Sequence, residues 1–217
     1  LVMIGYKYKL SITAYGVLWW AVYLSQKAHY NNHYYLMVVM CFVMLLLPAH
    51  RYFSFDSFKN TRLRKISCPR WCYVLLIGLF WIVYTYAALN KIYPDWLQAV
   101  PLKIWFKQKS DFWLIGPLLS QEWMPWLIAY GGIVFDGLII PALLWKKTRW
   151  WAFGLNLFFH LFNSAVFHIG VFPYMMIAIT VLFFPPTELS KWFFKTKPSH
   201  KHLSEIYDSN SFIKRYL

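Results

Sequence analysis

Long uncharged apolar stretches, separated by short basic segments, recur along the chain. Residues 71–89 run for 19 positions without a charge, 123–145 carry Asp136 alone, and 150–184 are 35 residues free of Lys, Arg, Asp and Glu. About 20 such residues make a helix long enough to cross a bilayer. Gly170 and Pro173 interrupt the last stretch, which therefore reads as two spans joined by an Ile-Gly-Val-Phe-Pro turn. Two shorter stretches, 10–24 and 34–49, have 15 and 16 residues and would need flanking aromatics or local thinning of the bilayer. The pattern predicts an all-α fold: a polytopic transmembrane helical bundle of about six spans over 1–190. A basic linker over 191–217 would lead to a further span, in a chain that continues beyond both ends. Residues 112–119 contain Gly116 and Pro117 and are too short to span, so an interfacial or re-entrant piece is expected there.

Composition agrees with a membrane setting: 59% of residues are hydrophobic and there are 13 Trp, 16 Tyr and 19 Phe among 217. Lys and Arg number 22 against 8 acidic residues, a net charge of +14. A nucleic-acid partner is not implied, because such modules are basic and polar with few aromatics away from the binding face. Charge sorts by side instead. With the N-terminus cytoplasmic, six spans place 17 basic residues inside and five outside, the five being Lys27, Lys91, Lys103, Lys107 and Lys109. This is the asymmetry of a multi-pass integral membrane protein, and it sets Lys91 near the extracytoplasmic face. Cys41, Cys68 and Cys72 have neither the number nor the spacing of a disulfide framework or a zinc site.

Ionisable groups inside spans are costly and are candidates for function by default. Asp136 lies ten residues before Lys146 and His160 eleven after Arg149, which sets both about 15 Å from the same membrane face. They could meet across a helical hairpin. His160 heads a polar stripe with Asn156, Asn163, Ser164 and His168 at helical spacing. These groups could form a site, or could simply hydrogen-bond helices together where Gly131, Gly132 and Gly137 allow close approach. Lys91 ends the span 71–89 next to Asn90, among Tyr84, Tyr86, Tyr93 and Trp96. It either snorkels to the interface or is desolvated until its neutral amine can act as a base. His29 and His33 fall in a polar loop and read as surface residues, and His200 and His202 as solvated tail. No metal site is predicted, and the nucleotide, serine-hydrolase and zincin motifs do not occur.

Five stretches in order, from 31 to 185, carry a family resemblance. They are Asn-Asn-His-Tyr-Tyr-Leu (31–36), Ala-His-Arg-Tyr-Phe-Ser-Phe-Asp (49–56), and Ala-Ala-Leu-Asn-Lys-Ile-Tyr-Pro-Asp-Trp (87–96). Leu-Ser-Gln-Glu (119–122) with Gly-Gly-x-x-x-Asp (131–136) follows, and then His-Leu-Phe-Asn-Ser-Ala-Val-Phe-His-Ile-Gly-Val-Phe-Pro-Tyr-Met (160–175). The chain resembles the membrane portion of vitamin K-dependent gamma-glutamyl carboxylase and the wider group of horizontally transferred transmembrane (HTTM) domains. The resemblance implies a lysine base that deprotonates reduced vitamin K or another quinone, and a product base strong enough to prepare a peptide glutamate for carboxylation. Lys91 takes the place of that lysine. His160, with Asn90, Asn163, Ser164, Asp136, Tyr174, His50 and Arg51, would line its cavity. Two departures stand out: Asn90-Lys91 replaces a pair of lysines, and Arg51 occupies a histidine position, with His50 one place earlier. The partners implied are the lipid bilayer and a lipid-soluble quinone-like reactant. The rival from another class is a transporter or proton relay built on Asp136 and His160. A haem carrier is disfavoured because His160 alone is clearly mid-span.

Overall fold

The computed structural model describes residues 1–25, 31–65, 68–113, 115–167, 169–185 and 188–189. Every element among them is helical: α1 (Tyr8–Ser25), α2 (Asn32–Leu46), α3 (Phe55–Lys59), α4 (Arg70–Leu89), α5 (Pro94–Leu97), α6 (Val100–Lys107), α7 (Gly116–Leu119), α8 (Met124–Leu144), α9 (Arg149–Phe167) and α10 (Phe172–Thr180). Short 3-10 turns cover Thr61–Leu63 and Val181–Phe183. The expected linker over 191–217, and with it His29, His168, His200 and His202, lies outside the described residues.

The all-α prediction holds, but the number of spans does not. Among the described residues two helices, α4 at 20 residues and α8 at 21, are long and apolar enough to cross a membrane, in place of about six. The reasons differ from helix to helix. α2 is apolar but stops at 15 residues, because Pro48 follows its C-cap Leu47. α10 has nine residues and tightens into the three-residue turn that follows. α1 and α9 have 18 and 19 residues, yet Lys9, Ser11 and Thr13 dilute one, and Asn156, His160, Asn163 and Ser164 dilute the other.

The chain divides into two compact units, one drawn from residues 1–76 and from 157 onward, the other from Ile77–Asn156. In the first, α1 packs along α2. Tyr8, Ile12 and Cys41 are buried with Val2, Met44 and Leu45 against them, and the Tyr8 hydroxyl donates to the Met44 carbonyl at 2.8 Å. α2 begins where Asn31 accepts the His33 amide at 2.8 Å, a side-chain N-cap. α3 begins in a capping box: the Ser54 hydroxyl takes the Ser57 amide, and the Ser57 hydroxyl takes that of Ser54.

Asp56, in α3, closes the start of α1. Its two carboxylate oxygens accept the amides of Lys7 and Tyr8, each at 2.8 Å, while the Phe55 and Asp56 amides donate back to the Ile4 and Gly5 carbonyls. Gly5 has φ +62°, and a β-carbon there would sit 2.4 Å from that of Ser54, so glycine is required. The Tyr8 amide is the main cause that holds the Asp56 carboxyl below its ordinary value of 3.8. A carboxyl lowered by folding contributes stability above its unfolded value and loses it as pH falls through the folded one. Asp56→Ala is expected to lower stability by about 1 kcal/mol at neutral pH and to flatten the acid limb below about pH 4. Thermal unfolding of the detergent-solubilised protein across pH checks both.

In the second unit α5 and α6 pack against the beginning of α8. The Trp96 indole donates to the Ala129 carbonyl at 3.2 Å, and the Tyr130 hydroxyl to the Leu97 carbonyl at 3.0 Å. At the other end of α8 the carbonyls left open by the helix are taken by side chains. The Thr148 hydroxyl donates to Ala142 at 2.7 Å, and the buried Arg149 guanidinium donates to Leu143 at 2.9 Å and Leu144 at 3.1 Å.

Candidate functional site

α4 ends at Leu89, and its last carbonyls are capped in a tight turn. The amides of Asn90, Lys91 and Ile92 donate to Tyr86, Ala88 and Leu89 at 2.9, 3.1 and 3.0 Å. Tyr93 then leaves in extended conformation and Pro94 opens α5. This turn aims the Lys91 side chain into the unit: it is 21% exposed, and its ammonium forms a salt bridge with Asp136 Oδ2. The same ammonium lies 5.6 Å from the Trp96 ring centroid, a cation–π distance.

Asp136 is 4% exposed and sits twelve residues into α8, about 18 Å from its first residue. One turn earlier, a β-carbon at Gly132 would be 3.9 Å from Lys91 Nζ, so the lysine runs along the face that carries Gly132 and Asp136. Beside Asp136, Phe135 meets Tyr84 edge-on with centroids 6.0 Å apart, and the Tyr84 hydroxyl donates to Asn156 Oδ1 at 2.9 Å in a buried contact. A lone carboxylate or ammonium in such a place is strongly disfavoured, and the two are retained because they neutralise each other. Of the two alternatives for Lys91, snorkelling is therefore replaced by an inward pair. In place of a free amine, Lys91 Nζ is engaged as a donor to Asp136 Oδ2.

The other expected residues fall in the first unit. His160 is 1% exposed and stands edge-on to Phe172, centroids 6.0 Å apart. His33 faces the same Phe172 at 4.1 Å. Among the described residues no hydrogen bond reaches its Nδ1. Phe172 is thus shared by two imidazoles, from α2 and α9. Ser164 donates to the Tyr174 hydroxyl at 2.9 Å, and Asn163 is half-buried beside it in sequence. The intervening turn uses Gly170 at φ +70°. Read from sequence as a surface loop residue, His33 instead lies half-buried in the first turn of α2. The signal that would have found it is Asn31, an N-cap residue directly ahead of an apolar run.

His50 and Arg51 serve the α1–α3 junction. The His50 ring stacks on Tyr8 with centroids 5.1 Å apart, its carbonyl accepts the Ser54 hydroxyl, and the Arg51 carbonyl accepts the Lys65 amide at 3.0 Å. Burial lowers the His50 imidazole below its ordinary value, partly opposed by Asp56. The structure therefore brings Lys91 and Asp136 together with Asn90 adjacent, and groups His160 with His33 through Phe172. It gives His50 and Arg51 a structural task. Among the described residues no three His, Cys, Asp or Glu side chains converge as a metal cage requires.

No solved structure matches the chain. The family comparison does give a result: the model of the HTTM domain family matches residues 1–187, and the chain belongs to that family.

Proposed function

We propose that this chain is a membrane-embedded enzyme domain of the vitamin K-dependent carboxylase kind, with the Lys91–Asp136 couple as its proton-handling group. Family membership supports the class of chemistry. The observation that carries the proposal is the partly exposed ammonium paired with a buried carboxylate. The residues suit a hydroquinone: a proton acceptor, a cation to face an anion, and the Trp96 ring beside them. When bound, a reduced quinone with oxygen would supply the strong base that carboxylation of a peptide glutamate needs.

This chain's own part is to take and hold one proton. In the ion-paired state the acceptor is the Asp136 carboxylate, and a proton arriving there makes it a neutral carboxylic acid beside the Lys91 ammonium, whose own hydrogen already fills the contact between Nζ and Oδ2. The Lys91 ammonium then faces the negative charge left on the donor, in a low-dielectric setting where that attraction is strongest. Trp96, held by the Ala129 carbonyl, fixes the approach to the ammonium. The proton-relay alternative used Asp136 with His160. That alternative would have to work with Asp136 already paired to Lys91.

The test is epoxide formation from reduced vitamin K by the purified, detergent-solubilised full-length protein, wild type against Lys91→Ala and Asp136→Asn. The expected result is epoxide from the wild type and loss of it in both variants. A folded wild type that makes none overturns the proposal.

A further inference from the structure

α6 presents an unusual outer face. Leu102 and Phe106 are buried and hold the helix to its unit, which leaves Val100, Lys103, Ile104, Trp105 and Lys107 exposed. Beyond the helix, Trp113 is 85% exposed. Three lysines, at 103, 107 and 109, stand against one acid, Asp111, over 100–113, and the described contact of that carboxylate is with its neighbour Ser110. Lys103 Nζ lies 4.4 Å from the ring centroid of Trp126, in the first turn of α8. That contact sets the depth of the segment. At 21 residues α8 is about 31 Å long, matching a hydrocarbon layer of about 30 Å, so its first turn lies at the boundary with the headgroups.

An aliphatic and aromatic face bordered by lysines, at that depth, has the composition of an element lying in the interface plane. Indoles favour the headgroup layer, and lysines just outside the hydrocarbon attract anionic lipid. We infer that α6 and the segment through Trp113 lie in the headgroup layer and bind anionic phospholipid, with Lys103 and Lys107 facing the phosphates while Ile104, Trp105 and Trp113 enter the acyl boundary. This surface does not depend on the proposed chemistry at Lys91.

A bimane label at Gln108→Cys, an exposed position at the end of α6, reports on the surface. Cys68→Ser removes the exposed native thiol, and Cys41 and Cys72 are buried. The full chain is reconstituted in vesicles of phosphatidylcholine and phosphatidylglycerol at about 7:3. The expected result is quenching by shallow spin-labelled lipids and protection from aqueous iodide. Headgroup-labelled phosphatidylglycerol should quench about twofold more than the phosphatidylcholine analogue, a preference that Lys103→Gln/Lys107→Gln abolishes. Iodide quenching without lipid quenching would place the face in water, open to a soluble partner, and overturn the inference. So would a preference that the double variant leaves intact, or one that inorganic phosphate displaces.

Discussion

Lys91→Met is expected to destabilise the folded chain by about 2–4 kcal/mol, below the upper range for a broken buried pair because Lys91 keeps some contact with solvent. The loss comes less from the missing attraction than from Asp136, left buried without a counter-charge. Asp136→Leu alone strands the ammonium, which can swing outward, so its cost should be smaller. The double variant Lys91→Met/Asp136→Leu removes both charges and should regain most of the stability, giving a coupling energy of at least about 1 kcal/mol in a double-mutant cycle. Unfolding of the four proteins in a denaturant titration in detergent measures the cycle. Additive costs would mean that the two side chains act independently. The same double variant separates folding from chemistry: it should be as well folded as the wild type and yet make no epoxide.

Arg149→Ala carries the second large effect. The guanidinium is 5% exposed and gives charge-assisted hydrogen bonds to Leu143 and Leu144 at the negative end of α8. Truncation opens both carbonyls and removes a buried side chain, at a cost of about 2–3 kcal/mol. Arg149→Lys keeps the charge but not the fork that reaches two successive carbonyls, and should recover less than half. Backbone amide exchange over 140–145 is the direct readout: it should quicken selectively in Arg149→Ala while the first turns of α8 stay protected. Uniform loss of protection along α8 would instead indicate that Arg149 supports the whole unit.

Both effects turn on residues whose partners lie off the local pattern. Helix positions were readable because they need only neighbours: each apolar run predicted by the sequence coincides with a helix, and 150–184 breaks at Gly170 as its composition implied. Helix ends were less readable, since α2 is set by an asparagine cap ahead and a proline behind. Counting Arg149 among loop charges cannot register that its side chain folds back onto the preceding helix. Lys91 and Asp136, 45 residues apart, could be placed by sequence around one cavity but not read as direct partners. Depth along a helix axis placed one at a face and the other inside, without allowing for the reach of a lysine side chain. Separate effects of Lys91→Ala and Asp136→Asn do not distinguish enzyme from relay, because each change disturbs the other residue. The stretch 49–56, which helped to carry the resemblance, has its chief visible employment in caps and turns, so resemblance in sequence there reflects architecture as much as chemistry.

The Asp56 cap has a consequence for biosynthesis. The first turn of α1 is completed by a side chain 48 and 49 positions further along the chain. During synthesis from the N-terminus, α1 emerges before the residue that terminates it exists. It must wait, with its leading amides served by water or lipid headgroups, until α2 has been made and Asp56 released. α1 is therefore synthesised before α2 and α3 but finished only after them, and its final placement is a late event in folding.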